Sequence, residues 1–151
     1  MYSNNEFSPT SPFLQGLRVL FVDDNVDCCD LITQTLQNYG VEVQTAFSVQ
    51  QALETFMQWQ PDILVSDIAL PKEDGYVLIH QVRKLTTKLG KCVPAIAMTG
   101  CVNEQMHQRT MLAGFDLWVP KPVELDELVA MLGILAIRQK SSSAIALVSG
   151  E

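Results

Sequence analysis

Five residues that could act together on a phosphoryl group each follow an apolar run. Asp23 and Asp24 come directly after RVLFV (Arg18 to Val22), and Asp67 after ILVS (Ile63 to Ser66). Thr99 closes the run that begins at Ala95, and Lys121 lies just beyond Leu117 to Val119. Singly, each has a plain explanation, since Asp or Thr after a strand commonly caps a helix and Lys-Pro commonly turns the chain. If the runs are parallel strands of one sheet, however, all five residues collect at its carboxyl edge, where open α/β sheets bind ligands. Three carboxylates there repel one another, at roughly 4 kcal/mol for a pair about 4 Å apart in an effective dielectric near 20. One ammonium cannot offset three such charges. A hard divalent cation can, and Mg²⁺ suits one or two carboxylates completed by waters and a phosphate oxygen. The spacing predicts a metal-assisted phosphoryl site.

The elements needed to position these residues are legible in the hydrophobic pattern. Near-continuous apolar runs at 18–22, 63–66 and 95–98 predict strands buried on both faces. Glu42 to Ala46 alternates polar and apolar, as a less buried edge strand would, and 117–119 predicts a short fifth strand. Between them, Cys29, Ile32, Leu36 and Tyr39 recur at helical spacing before Gly40. Ser48 and Gln51 form a capping-box pair ahead of a stripe of Val49, Ala52, Leu53, Phe56 and Trp59. Leu78, Ile79, Val82 and Leu85 share another helical face. Asn103 caps a helix that ends at Gly114 and has a weak apolar stripe, and a last helix is expected from about Glu124 to Ile137. Five strands alternating with five helices predict a parallel sheet covered on both sides. Residues 1–15 are expected as a flexible lead-in, 16–138 as one domain and 139–151 as a short tail, either without structure or added as a short strand.

Composition narrows the function classes. The 151 residues suit one domain, and with 17 acidic against 10 basic residues the formal net charge is −7. An acidic chain without a Lys/Arg cluster argues against a nucleic-acid partner. The cysteines at 28, 29, 92 and 101 form no CxxC pair and lie far in sequence from His80 and His107, so neither a zinc site nor a disulfide framework is expected. Met1 to Pro12 lacks the pattern of a signal peptide, and the longest apolar stretch is too short to span a bilayer. The expectation is a cytoplasmic protein without a membrane partner.

With these motifs assembled, the sequence closely resembles the receiver domains of two-component response regulators. The resemblance rests on Asp23-Asp24 in FVDDN, on Asp67 in SDIALPKEDG, on Thr99 in AMTG and on Lys121-Pro122 in VPKPVELDEL, and it runs from about Leu17 to Ile137. It implies a flavodoxin-like doubly wound (βα)5 fold with strand order 2-1-3-4-5, an order carried over from the chemotaxis member of the family that also illustrates this fold class. It further implies that Asp67 is the phosphoacceptor, taking its phosphoryl group from a phosphohistidine of a sensor histidine kinase or a histidine phosphotransfer protein. Mg²⁺, with Mn²⁺ as the substitute, would be held by Asp24, by Asp23 partly through water, by Asp67 and by the backbone carbonyl of Ala69. Lys121 would neutralise the phosphoryl charge and Thr99 would hydrogen-bond to it. The Lys121-Pro122 bond is typically cis in this family, and that geometry aims the lysine inward.

The resemblance also implies a switch through Thr99 and the aromatic at 118, presenting a changed surface of the fourth helix, fifth strand and fifth helix to a downstream protein target. Trp118 departs from the family's usual Tyr or Phe, and Pro120 precedes the lysine on what should be an edge strand. Gly100 and Ala69 are small, which is expected to leave the phosphate open to water. The last helix holds more apolar residues than one face needs, so self-association as a homodimer, or partner docking, is expected there. The chain is expected to be no enzyme beyond its own phosphotransfer and dephosphorylation. The alternative is a phosphorylation-independent pseudo-receiver serving as an interaction module. A haloacid-dehalogenase-like phosphatase is disfavoured, because its DxDx[TV] pattern is missing after the first strand.

Overall fold

The computed structural model describes residues 11–100 and 103–148, with side chains described up to residue 139. Five strands, β1 (Arg18–Val22), β2 (Glu42–Ala46), β3 (Ile63–Asp67), β4 (Ala95–Thr99) and β5 (Leu117–Pro120), alternate with five helices. The helices are α1 (Val26–Gln37), α2 (Val49–Trp59), α3 (Gly75–Leu89), α4 (Glu104–Ala113) and α5 (Leu125–Val148). All the strand pairs are parallel, in the order β2-β1-β3-β4-β5. This is the doubly wound architecture expected from the sequence.

Burial explains why the pattern was readable. Every residue of β3 and β4 is buried, and so are four of the five in β1, whereas the outer strands β2 and β5 are only partly buried. Side chains alternate across a strand, so the sheet feeds two cores. Val19, Phe21, Val65 and Met98 pack with α1 and α5, while Leu20, Val22, Leu64 and Ala97 pack with α2 and α3. Helix starts follow capping chemistry. Asn25 accepts from the Cys28 N–H, Ser48 from Gln51, Asp74 from Val77 and Asn103 from Gln105. Gln51 reaches back to the Phe47 N–H at 2.8 Å and closes the capping box one residue earlier than the standard pattern.

Two boundaries differ from the sequence expectation. The last helix does not stop near Ile137 but continues to Val148, so most of the supposed tail is its final turns. Nothing between 138 and 148 breaks a helix, since Ser, Ala, Ile and Leu all tolerate it and the next Gly is Gly150. At the other end, residues 11–15 are not a free lead-in. They turn into β1 with Leu14 fully buried in the α1/α5 core, and the Gly16 N–H donates to the Gly40 carbonyl at 2.8 Å. Residues 1–10 lie outside the described residues, as does Cys101.

Candidate functional site: an acidic pocket at the carboxyl edge of the sheet

Each site residue sits where a strand runs out. The Asp23 N–H still donates to the Ala46 carbonyl of β2 at 3.1 Å, and the Ile68 N–H to the Met98 carbonyl of β4 at 3.1 Å, so both chains leave the sheet in register. The Lys121 N–H donates to the Thr99 carbonyl at 2.8 Å, and the Lys121-Pro122 peptide is cis. The β3–α3 loop is pinned from below. The Gly75 N–H donates to the Ile68 carbonyl at 2.7 Å, and a Cβ at Gly75 would lie 2.6 Å from the Asp67 carbonyl oxygen. Only glycine lets α3 start this close to the end of β3.

Asp23, Asp24 and Asp67 offer carboxylate oxygens that all lie within 4.8 Å of one another, with Asp23 and Asp67 buried and Asp24 exposed. The Lys121 ammonium donates to Asp67 Oδ2 at 2.8 Å and to Asp23 Oδ2 at 3.3 Å. The second oxygen of each buried acid is also bonded, Asp67 Oδ1 by the Ala69 N–H and Asp23 Oδ1 by the Asn25 N–H, both at 3.0 Å. Thr99 is buried at the end of β4, beside these groups in the sheet order. Asp23, Asp24, Asp67, Ala69, Thr99 and Lys121 therefore lie at one edge, while Trp118 sits within β5, paired with Ala97.

Electrostatics in the pocket follow from crowding acids around one amine. Burial pushes the Asp67 carboxyl above its ordinary value. The hydrogen bonds from Lys121 and Ala69 pull it back, Asp23's charge adds to the rise, and the net shift is upward. Burial also penalises the Lys121 ammonium, but the hydrogen bond and charge of Asp67 and the charge of Asp23 outweigh it, so Lys121 holds its proton more tightly than a free lysine. Three carboxylates against one ammonium is a donor set of hard oxygens with a surplus of negative charge, which fits a small divalent cation.

Sequence reasoning missed several neighbours. Cys29 Sγ donates to the Asp23 carbonyl at 3.4 Å, and burial first, then the Asp23 charge, pushes its thiol up to about 12. This cysteine is a structural filler behind the site. Trp118 stacks on His107 of α4 with ring centroids 3.6 Å apart and planes 18° from parallel. No sequence signal marks that pair, because it forms only when α4 folds over β5.

A doubly wound sheet with an acidic pocket and an inward lysine at its carboxyl edge defines a class of α/β domain whose ligand site lies at the strand ends. The chain belongs to the response regulator receiver domain family, whose model matches residues 19–133. It is 36% identical over 119 residues to an uncharacterized 14.6 kDa protein in the sodA1 3′ region of Leptolyngbya boryana, covering 79% of this chain and 89% of that protein. It is 32% identical over 122 residues to hybrid signal transduction histidine kinase D of Dictyostelium discoideum, covering 76% of this chain but 8% of that kinase. Among solved structures, chemotaxis response regulator CheY4 of Vibrio cholerae superposes with a TM-score of 0.74 at 26% identity, covering 80% of this chain and 99% of that one.

Proposed function

We propose that this receiver domain accepts a phosphoryl group on Asp67 from a phosphohistidine of a sensor histidine kinase or histidine phosphotransfer protein. The observation that carries the reading is the buried Asp67 carboxylate, fixed by Lys121 and the Ala69 N–H, with Asp23 and Asp24 within 4.8 Å. In the step, an Asp67 oxygen forms the new bond to phosphorus as the phosphorus–nitrogen bond of the donor breaks, and the imidazole leaves with the electron pair. Asp24, Asp23, Asp67 and the Ala69 carbonyl would hold Mg²⁺ or Mn²⁺. When bound, that cation supplies the positive charge that lets a phosphoryl oxyanion approach three acids. Lys121 neutralises the transferred group, and Thr99 donates a hydrogen bond to it. The protein turns over no separate substrate and acts in the cytoplasm. No helix among the described residues is long and apolar enough to cross a membrane.

Output is proposed to run through α4, β5 and α5, to a downstream protein or a second copy of the chain. Support comes from large apolar side chains left in water there, Leu112 at 88% exposure, with Met111 and Ile134 at about 40%. Thr99 and Trp118 would link Asp67 to this surface, with Trp118 starting from its stack on His107. Incubation with acetyl phosphate and Mg²⁺ should add one phosphoryl group by intact mass, and Asp67→Asn should take up none. An unlabelled wild-type protein, with Mg²⁺ binding intact, would leave the pseudo-receiver reading standing. Gly100 has open space around its Cβ direction, and both Gly100 and Ala69 are exposed. Water therefore reaches the acyl phosphate, and its lifetime should be minutes to an hour or so rather than many hours, as followed by loss of the mass increment.

A further inference from the structure

The opposite edge of the sheet carries a second concavity that the receiver reading does not use. It is a cleft of about 300 Å³ between the C-terminal ends of α2 and α3, walled by Phe56, Pro61, Leu85 and Val93. Met57 and Leu89 also line it and are 61% and 57% exposed, a large apolar share to leave in water at one place. Its charged lining residues are both basic, Lys88 and Lys91, and among the described residues no carboxylate lines it.

That charge is unusual for this molecule. Four of the ten basic residues fall between positions 83 and 91, with no acid among them, in a chain of net charge −7. Arg83 is consumed internally by the carbonyls of Gly114 and Val93 and by Asp116. Among the described residues Lys88 makes no ion pair. It is not needed to close its own helix end either, since the Thr86 and Thr87 carbonyls already accept from the N–H groups of Gly90 and Lys91. The Lys91 ammonium donates to Oε1 of Gln60, another lining residue, and Gln60 is set in place by the left-handed cap of α2 at φ 52°.

We propose that this cleft binds a small amphipathic carboxylate, with an alkyl chain or single ring against Phe56, Leu85 and Val93 and its carboxylate on Lys88 and Lys91. The volume is at the low end of ligand pockets, enough for one ring or a medium chain. Apolar walls whose charged lining residues are both lysines match that kind of ligand and disfavour a cation. The cleft lies at the start of β3 and β4, on the opposite side of the sheet from Asp67, so ligand and phosphoryl group could be held together.

The test is an amide ¹H–¹⁵N titration of the full chain with octanoate, octylammonium and octyl glucoside. Octanoate should give saturable shifts confined to residues 56–60 and 85–93, and the other two should bind at least about tenfold more weakly. The double variant Lys88→Glu, Lys91→Glu alters exposed side chains only. Its spectrum should otherwise be preserved while octanoate affinity falls by a similar factor. The proposal is overturned by no shifts up to about 10 mM octanoate, by equal binding of octylammonium or octyl glucoside, or by binding indifferent to the charge reversal. Shifts at these residues that grow with protein concentration alone would assign the cleft to a second copy and equally overturn it. Acetyl-phosphate labelling of the same sample reports separately on Asp67, so either result leaves the receiver reading independently tested.

Discussion

Asp67 is unusual in gaining more from losing its charge than from keeping it. Its folded-state value is raised by burial and by Asp23, so the folded protein holds that proton more tightly than the unfolded chain. Where the native state binds more protons, stability falls as pH rises. The contribution is full below the ordinary carboxylate value and is lost as pH climbs through the raised one. In metal-free buffer Asp67→Asn should therefore match the wild type near about pH 3 and become the more stable protein towards neutrality. Urea midpoints across pH would measure this, and a gap that narrowed with rising pH would contradict the sign. Gly75 tests position rather than charge. An alanine Cβ would meet two backbone atoms, the Asp67 oxygen at 2.6 Å and Ile68 Cα at 2.8 Å, neither of which can rotate away. Gly75→Ala should cost about 1–3 kcal/mol and slow acetyl-phosphate labelling of Asp67 by shifting its backbone. An unchanged labelling rate would show that the loop relaxes without moving the acceptor.

At the scale of elements, α5 shows how a strongly apolar helix divides its surface. Leu128, Val129, Leu132, Leu135 and Ala136 are buried against β1, β3 and α1, while Ile134 stands 41% exposed. Leu132→Ala should cost about 2–5 kcal/mol, the range for emptying a packed leucine site. Ile134→Ser should change stability by no more than about 0.5 kcal/mol, as surface changes do. If α5 is an interface, the same Ile134→Ser should weaken self-association in light scattering or sedimentation. Comparable stability losses for the two variants would mean that the α5 packing is wrong. The hydrophobic pattern foretold the excess of apolar residues on this helix, but not its length. Periodicity weakens once most positions are small or apolar, and the sequence carries no Gly or Pro between 138 and 148 to stop the helix.

At the scale of the whole molecule, the proposed cation site would couple folding to cation binding. A ligand that binds only the native state stabilises it by mass action, about 2.7 kcal/mol at a hundred times its dissociation constant, or roughly 5–10 °C in a domain of this size. Mg²⁺ should raise the thermal midpoint by up to this amount, and excess chelator should reverse the effect. In Asp24→Ala, which removes an exposed acid from the cluster, most of the rise should disappear. A wild-type midpoint indifferent to Mg²⁺ would remove the cation from the proposed chemistry.

The alternation of buried strands and amphipathic helices, and the placing of Asp23, Asp24, Asp67, Thr99 and Lys121 after strand ends, were determined by the sequence alone. Burial on both faces demands apolar runs, and a parallel sheet brings all its strand ends to one side. Tertiary structure alone decided that Leu14 belongs to the core, that Gly75 packs against the end of β3, that His107 stacks on Trp118 and that two lysines line an apolar cleft. Each of these depends on segments far apart in the chain meeting at a particular distance, and local composition records which residues can be buried but not which of them will touch.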